Sequence, residues 1–429
     1  MSPHSSRESS SHESVPRLST SHSATSPTAR FRKPAQPLAA RYTDPAPRSL
    51  RPIEEPDFAP RIGERILFTG ASGLLGRESV LALLRAGYDV RVFQRGDSGI
   101  AALLPDSVRP RFEQVRGDIT NAQAVDLAMT GVNGVVHAAA KVSVSGEWAD
   151  YERINIEGTR TLLQAALNHS VGSFLYISSP SVAHAGAAIV GDGAGVASPE
   201  HARGNYARSK AAAELLALEA NGTALPGGGV LRVGALRPHI MWGPGDTQLV
   251  ERILERSAAG RLPLLSGGTG LIDTLYIDNA ADALVRGYQR LDAFAGQALV
   301  VTNGQPRTIA ELLGGFCEAV GVPAPRFSVP AKVAALAGKV IERVWERLPK
   351  NVTAGDEPPM TEFLAEQLST AHWFDQRRTR ELLQWEPAVS IEEGYERLGL
   401  FYGDRYSGGQ AQPIGASFRV GSPTPGLDE

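Results

Sequence analysis

The fold is decided by one stretch, Ile66-Leu67-Phe68-Thr69-Gly70-Ala71-Ser72-Gly73-Leu74-Leu75-Gly76-Arg77. A short apolar run meets three glycines spaced Gly-x-x-Gly-x-x-Gly, and a helical pattern begins at once. The run suits a buried parallel strand, and the glycines suit a turn without side chains. The first N–H groups of the helix have no partner within it, and the helix dipole favours an anion there. A pyrophosphate fits that position. Gly70 makes the turn, Gly73 lets a phosphate approach the backbone, and Gly76 lets helix and strand pack closely, with Ser72, Leu74 and Leu75 completing the loop. Strand, glycines and helix together point to a dinucleotide site.

Working outward, residues 74–86 read as the helix, stopped by Gly87, and 89–93 as a second strand. An acidic residue at the end of that strand binds the ribose 2′-hydroxyl of NAD, whereas an arginine accommodates the 2′-phosphate of NADP. Gln94-Arg95 stands there, which favours NADP(H) over NAD(H); in the competing reading Arg95 is solvated and Asp97 reaches the ribose. A third strand, 112–116, leads to Gly117-Asp118-Ile119-Thr120. Asp118 either accepts from the adenine amino group or caps the helix beginning near Asn121. A fourth strand, 134–137, ends in Ala138-Ala139-Ala140, small enough for a cofactor to lie against the backbone, and His137 reads as a packed residue. A helix through Tyr151, Asn155 and Thr159 precedes a fifth strand, 174–177. Such repeated units imply an α/β fold, a doubly wound parallel sheet with its ligand at the strand carboxyl ends.

The fifth strand runs into Ser178-Ser179-Pro180-Ser181-Val182, and Asn205-Tyr206-Ala207-Arg208-Ser209-Lys210 opens a later helix. Tyr206 and Lys210 are four apart and share a helix face. A phenol titrates near pH 10, and a neighbouring ammonium lowers that value. With a serine hydroxyl to polarise a carbonyl, the set suits ketone/alcohol interconversion by hydride transfer from a nicotinamide.

The composition is that of a globular protein, with 42% hydrophobic and 21% charged residues in 429. A net charge of −3 offers no footprint for nucleic acid, and no apolar run is long enough to span a membrane. The single cysteine, Cys317, excludes an internal disulfide or thiolate metal cluster and suits a reducing cytoplasm. Residues 1–60 are Ser/Pro/Arg-rich without apolar period and read as a disordered extension; 405–429 read as a flexible tail. Between them, 61–240 is expected to form the nucleotide domain and 241–404 a smaller substrate-binding region.

The chain resembles the extended short-chain dehydrogenase/reductases in Thr69-Gly70 to Gly76, Asp118-Ile119, His137-Ala138-Ala139, Ser179, and Tyr206 with Lys210. The resemblance implies a Rossmann fold, with Ser179 as catalytic serine by counting back from Val182. It also implies that Tyr206 and Lys210 act in catalysis and touch the cofactor. A sixth strand, 230–236, leads into Arg237-Pro238-His239-Ile240-Met241-Trp242-Gly243-Pro244-Gly245-Asp246, read as a rigid loop at the sheet edge. It is similar to the family's arginine-proline loop, which places Pro238 at the nicotinamide end.

Leu271-Ile272-Asp273-Thr274-Leu275-Tyr276-Ile277-Asp278-Asn279 resembles the signature of the 3β-hydroxysteroid dehydrogenase branch, although Asp278 is also read as an N-cap. Apolar residues recur at helical spacing over 333–348, either an ordinary packed helix or a lid over an acyl channel or membrane-facing surface. Glu357-Pro358-Pro359-Met360-Thr361-Glu362-Phe363-Leu364 and His372-Trp373-Phe374-Asp375 look like the 2-alkyl-3-oxoalkanoate reductases of bacterial long-chain olefin synthesis. That resemblance implies a long-chain acyl substrate reduced by NADPH, a homo-oligomer, and an assembly with a β-lactone synthetase and a β-lactone decarboxylase. Three other activities share the scaffold: a 3β-hydroxysteroid dehydrogenase, a nucleotide-sugar epimerase or dehydratase, and an NADP-sensing protein. The apolar 333–348 stretch speaks against a diphosphate-sugar pocket, and the complete Ser, Tyr and Lys set against a sensor.

Overall fold

Seven parallel strands form the central sheet of the computed structural model, which describes residues 63–142, 146–183, 188–334, 336–338, 341 and 370–406. In chain order they are β1 (Arg65–Thr69), β2 (Asp89–Gln94), β3 (Phe112–Arg116), β4 (Gly134–His137), β5 (Ser173–Ile177), β7 (Arg232–Pro238) and a last strand, Ala298–Val301. β6 (Ile189–Asp192) belongs to a second sheet. Across the large sheet the order is Ala298–Val301, β7, β5, β4, β1, β2, β3. The order reverses between β1 and β4, which is where such sheets bind ligands.

The sheet is covered on both faces, and successive residues serve opposite ones. Ile66 and Phe68 join one apolar cluster, while Leu67 joins the other; Val92 and Phe93 divide in the same way. A strand buried on two sides must be apolar throughout, which explains the unbroken Ile66-Leu67-Phe68 run. Helix α1 (Leu74–Arg85) follows the glycines and packs on helix Ile277–Gln289. Parallel strands need such crossovers, and the expected doubly wound α/β fold is the one observed.

Three expectations change. The loop after Pro238 is not at the sheet edge, because Ala298–Val301 pairs with β7 outside it. The chain thus passes residue 240 and returns to the large sheet. Asp278 does not cap the helix Ile277–Gln289; Tyr276 holds the cap position, and Asp278 accepts from Arg397 of the last helix, Ile391–Tyr406, at 2.7 Å. The expected tail overlaps that helix at 405–406.

The extension 1–60, the motif at 357–364 and most of 333–348 lie outside the described residues, although Val333 and Leu336 are described and are exposed. The second sheet joins Arg307–Thr308, Leu271–Ile272, His372–Phe374 and β6 in that order. It lays His372–Phe374 alongside Ile189–Asp192, two segments far apart in the chain.

Candidate active site

The three glycines are held for different reasons. Gly70 has φ +84°, and a Cβ there would lie 2.6 Å from the Ala139 nitrogen and 2.8 Å from the Ala138 carbonyl carbon. The ends of β1 and β4 therefore touch backbone to backbone. A Cβ on Gly76 would lie 2.0 Å from the Gly70 oxygen, so α1 rests directly on the turn. Gly73 is the N-cap of α1 at φ −78°, no side chain caps the helix, and a Cβ there would meet nothing within 4 Å. The chain's own packing does not require Gly73. The bare position instead leaves the N-terminal N–H groups open, with no acidic residue in the first turn. Exposed Ser72 and half-buried Leu74 and Leu75 border it. This cradle fits the pyrophosphate of a dinucleotide.

At the rim, Arg95 is exposed just beyond β2. Asp97 is engaged locally, accepting from the Gly99 N–H at 3.0 Å and lying 4.0 Å from Arg116. Asp118 is not the cap of the helix Ala122–Met129; Asn121 is. The Asp118 Oδ1 accepts from the Thr120 N–H and hydroxyl, and these bonds, with Arg95 and Arg153 nearby, hold its carboxyl below the usual range. Ile119 is buried beneath Gly158.

Register places Thr69 beside His137. Thr69 Oγ1 accepts from the Ala139 N–H and lies 2.7 Å from His137 Nδ1; His137 Nε2 lies 3.0 Å from Thr159 Oγ1. The Thr159 hydroxyl donates to the Asn155 carbonyl, which can only accept. Its oxygen must then receive a proton from Nε2, leaving Nδ1 as acceptor for Thr69. Burial and the Lys210 charge push the imidazole down to about 3, so His137 is a neutral brace, as expected of a packed residue.

Asn155 braces the other side. Its side-chain Oδ1 accepts from the Lys141 N–H at 2.7 Å, and its side-chain Nδ2 donates to the Lys141 carbonyl and to Ser209 Oγ. It sits in a π-helical turn, Glu152–Glu157, a bulge often found at functional sites. The loop after β4 is thereby tied to the helix Gly204–Glu219, which carries Tyr206 and Lys210.

Ser179, Tyr206 and Lys210 are brought together. The Ser179 and Ser181 hydroxyls lie 2.9 Å apart, and Tyr206 lines the same cavity beside them. Lys210 is buried; its Nζ donates to the Ile177 carbonyl at 2.6 Å and lies 4.1 Å from the centre of the Tyr176 ring. Burial pushes the lysine down to about 7, opposed by Glu214. The phenol departs from expectation: burial outweighs the favourable influence of the Ser179 hydroxyl, and Tyr206 is pushed up. In this arrangement Lys210 turns its ammonium to Ile177 and Tyr176, and burial outweighs whatever its charge contributes to the resting phenol.

A cavity of about 150 Å³ opens against Ser179 and Tyr206. Pro180, Ser181, Pro238, His239 and Ile240 line it with Ile189, His372 and Phe374 of the second sheet. His239 and His372 did not stand out as site residues, nor did Arg237 with Glu214. Arg237 Nη2 and Nε donate to Glu214 at 2.5 and 2.8 Å, and Nη1 donates to the Ala194 and Gly195 carbonyls. This buried pair ties the loop after β6 to the end of β7. Asn155 in mid-helix was the one available signal, since asparagine is a poor helix former.

Residues 67–331 match the 3-beta hydroxysteroid dehydrogenase/isomerase family. The chain is 38% identical over 339 residues to a 2-alkyl-3-oxoalkanoate reductase of Stenotrophomonas maltophilia (strain K279a), covering 78% of this chain and 98% of that relative. It is 35% identical to a protein of the same name from Shewanella oneidensis, covering 77% of this chain and 84% of the relative. A dTDP-glucose 4,6-dehydratase from Streptomyces venezuelae, solved with NAD bound, superposes with a TM-score of 0.59 at 23% identity, over 80% of this chain and 98% of that one. At that identity the likeness concerns the fold. The chain belongs to the 3-beta hydroxysteroid dehydrogenase/isomerase family and is an NAD(P)-dependent oxidoreductase of the extended short-chain dehydrogenase/reductase type.

Proposed function

We propose that the protein reduces a long-chain 2-alkyl-3-oxoalkanoic acid to the 2-alkyl-3-hydroxyalkanoic acid with NADPH. The observation that carries this reading is a Ser179–Tyr206 pair facing a small, largely apolar cavity, in a chain with relatives of that name. NADPH, bound along the glycine loop, supplies the hydride. Ser179 holds the keto oxygen, and Tyr206 donates its proton to it. The upward shift of Tyr206 keeps that proton in place until oxygen develops charge. Lys210, when charged, stabilises the phenolate left behind. Pro238 and Ala138-Ala139 line the path from the nicotinamide end to the cradle.

The cavity sets a scale. An apolar cavity of about 150 Å³ holds benzene, six heavy atoms. The head of a 3-oxo acid, namely the keto group, the next carbon and the carboxyl, is also six heavy atoms. The alkyl chains then extend beyond it. Following the resemblance to the reductases of olefin synthesis, a β-lactone synthetase and a β-lactone decarboxylase are proposed as the next enzymes and as partners.

NADP preference rests on Arg95, exposed at the end of β2. An Arg95→Ala variant is expected to lose about tenfold of its NADPH-over-NADH preference in kcat/KM; an unchanged ratio removes Arg95 from that role. The function itself is tested by NADPH oxidation with a 2-alkyl-3-oxo acid beside a 3-ketosteroid. Turnover of the acid is expected, and turnover of the steroid alone would replace this reading with the hydroxysteroid activity of the family.

A further inference from the structure

The cavity beside Ser179 and Tyr206 must hold more than a ketone if its substrate is a 3-oxo acid. The carboxylate lies two bonds from the keto carbon, inside the same small space. A buried carboxylate needs charged or N–H donors, and leaving it unpaired is costly. Among the described residues that line the cavity, two are able to become cationic: His239 and His372. The others are apolar or hydroxyl-bearing.

Both imidazoles are buried and their ring centres lie 6.4 Å apart, with Phe374 packed edge-on against His239 at 5.1 Å. His239 is oriented by the backbone. Its Nδ1 lies 2.6 Å from the Asp273 carbonyl oxygen, which only accepts, so Nδ1 carries the proton. The Asp273 carboxylate is turned to Thr302 and the Gln305 N–H, and does not compete as an anion at the ring. His372 Nε2 lies 3.3 Å from the Thr370 hydroxyl. The two rings come from unrelated parts of the chain, one after β7 and one on the second sheet, and meet only at this cavity.

Resting on the reductase reading above, we propose that His239 and His372 receive the substrate carboxylate and thereby select 3-oxo and 3-hydroxy acids over neutral ketones and alcohols. An imidazole beside a carboxylate is drawn to its charged form, which strengthens the bond. These are specificity-determining residues; the proton and hydride steps remain with Tyr206, Ser179 and NADPH.

The test compares a stable pair of substrates in the oxidative direction with NADP⁺: a 2-alkyl-3-hydroxy acid and its methyl ester. The full chain should prefer the acid. In His239→Asn, which keeps a donor near the Nδ1 position, and His372→Gln, which keeps one near Nε2, kcat/KM for the acid should fall by about 10- to 100-fold. Ester turnover and NADPH binding should stay within about threefold. Loss of activity on both substrates alike, or an acid preference untouched in both variants, would overturn the inference while leaving the reductase reading standing. Wild-type protein that ignores both substrates yet oxidises a 3β-hydroxysteroid would overturn both.

Discussion

The nucleotide cradle and the substrate wall are assembled in opposite ways. The cradle is nearly contiguous: β1, the turn at Gly70 and the start of α1 occupy one short stretch, and only Ala138-Ala139 joins it from elsewhere. The wall draws on Ile189 with His372 and Phe374, which the second sheet gathers from distant segments, and on Pro238 to Ile240 at the end of β7. A cofactor common to many enzymes meets a local device that backbone geometry dictates. A substrate peculiar to one branch meets side chains that tertiary contacts alone bring together. The two regions share one seam, the Ser179–Tyr206 pair.

The largest effect tests that seam. Tyr206→Phe removes the proton donor while keeping the ring, and kcat should fall by about 10³-fold, within the range for a lost general acid. NADPH binding should be nearly unchanged. Undiminished turnover would detach catalysis from the seam.

The cradle is tested next by two glycines that fail differently. Gly73→Asp meets no steric obstacle, so the protein should fold normally while NADPH affinity drops by about 100-fold through repulsion at the pyrophosphate. Gly70→Ala should instead destabilise the protein itself by about 2–4 kcal/mol, because a Cβ collides with Ala139 at positive φ. Thermal melts and cofactor titrations separate the two; equal behaviour would contradict the division of tasks.

A smaller effect comes from pH. Lys210 sits at about 7, and its charged form supports the developing phenolate, so the useful charge is present below that pH and lost above it. Reductive kcat/KM should therefore fall by about tenfold per unit above pH 7. Lys210→Arg, charged throughout, should flatten the alkaline limb. On the wall, Phe374→Leu should raise KM for the keto substrate by about fivefold and leave NADPH affinity alone; a change in the cofactor constant would show that wall and cradle are not separable.

The same contrast explains what was legible in the sequence. The sheet, its first five strands and the glycine tasks follow from local rules: apolar runs, turn residues, a bare helix start. Tyr206 and Lys210 are legible because residues four apart share a helix face, whereas the choice of Ser179 among Ser178, Ser179 and Ser181 comes from the family resemblance. The strand Ala298–Val301 is not legible, because four apolar residues without flanking rhythm do not announce a strand, and without it the Pro238 loop reads as an edge. Asp278 reads locally as a cap because its partner, Arg397, lies more than a hundred residues away. The expectation that Lys210 lowers the phenol failed because proximity on a helix face does not reveal that Nζ turns to Ile177. His239 and His372 carry no local signal at all; they become neighbours through Asp273, whose carbonyl meets the His239 ring and whose N–H donates to the His372 carbonyl.

The central claim is hydride delivery to the 3-keto carbon of a 2-alkyl-3-oxo acid, and isotope transfer tests it most directly. With NADPH deuterated at C4 on both faces, the product should be a 2-alkyl-3-hydroxy acid carrying one deuterium on C3, read by mass spectrometry. Normal NADPH binding with no labelled hydroxy acid formed would contradict the account.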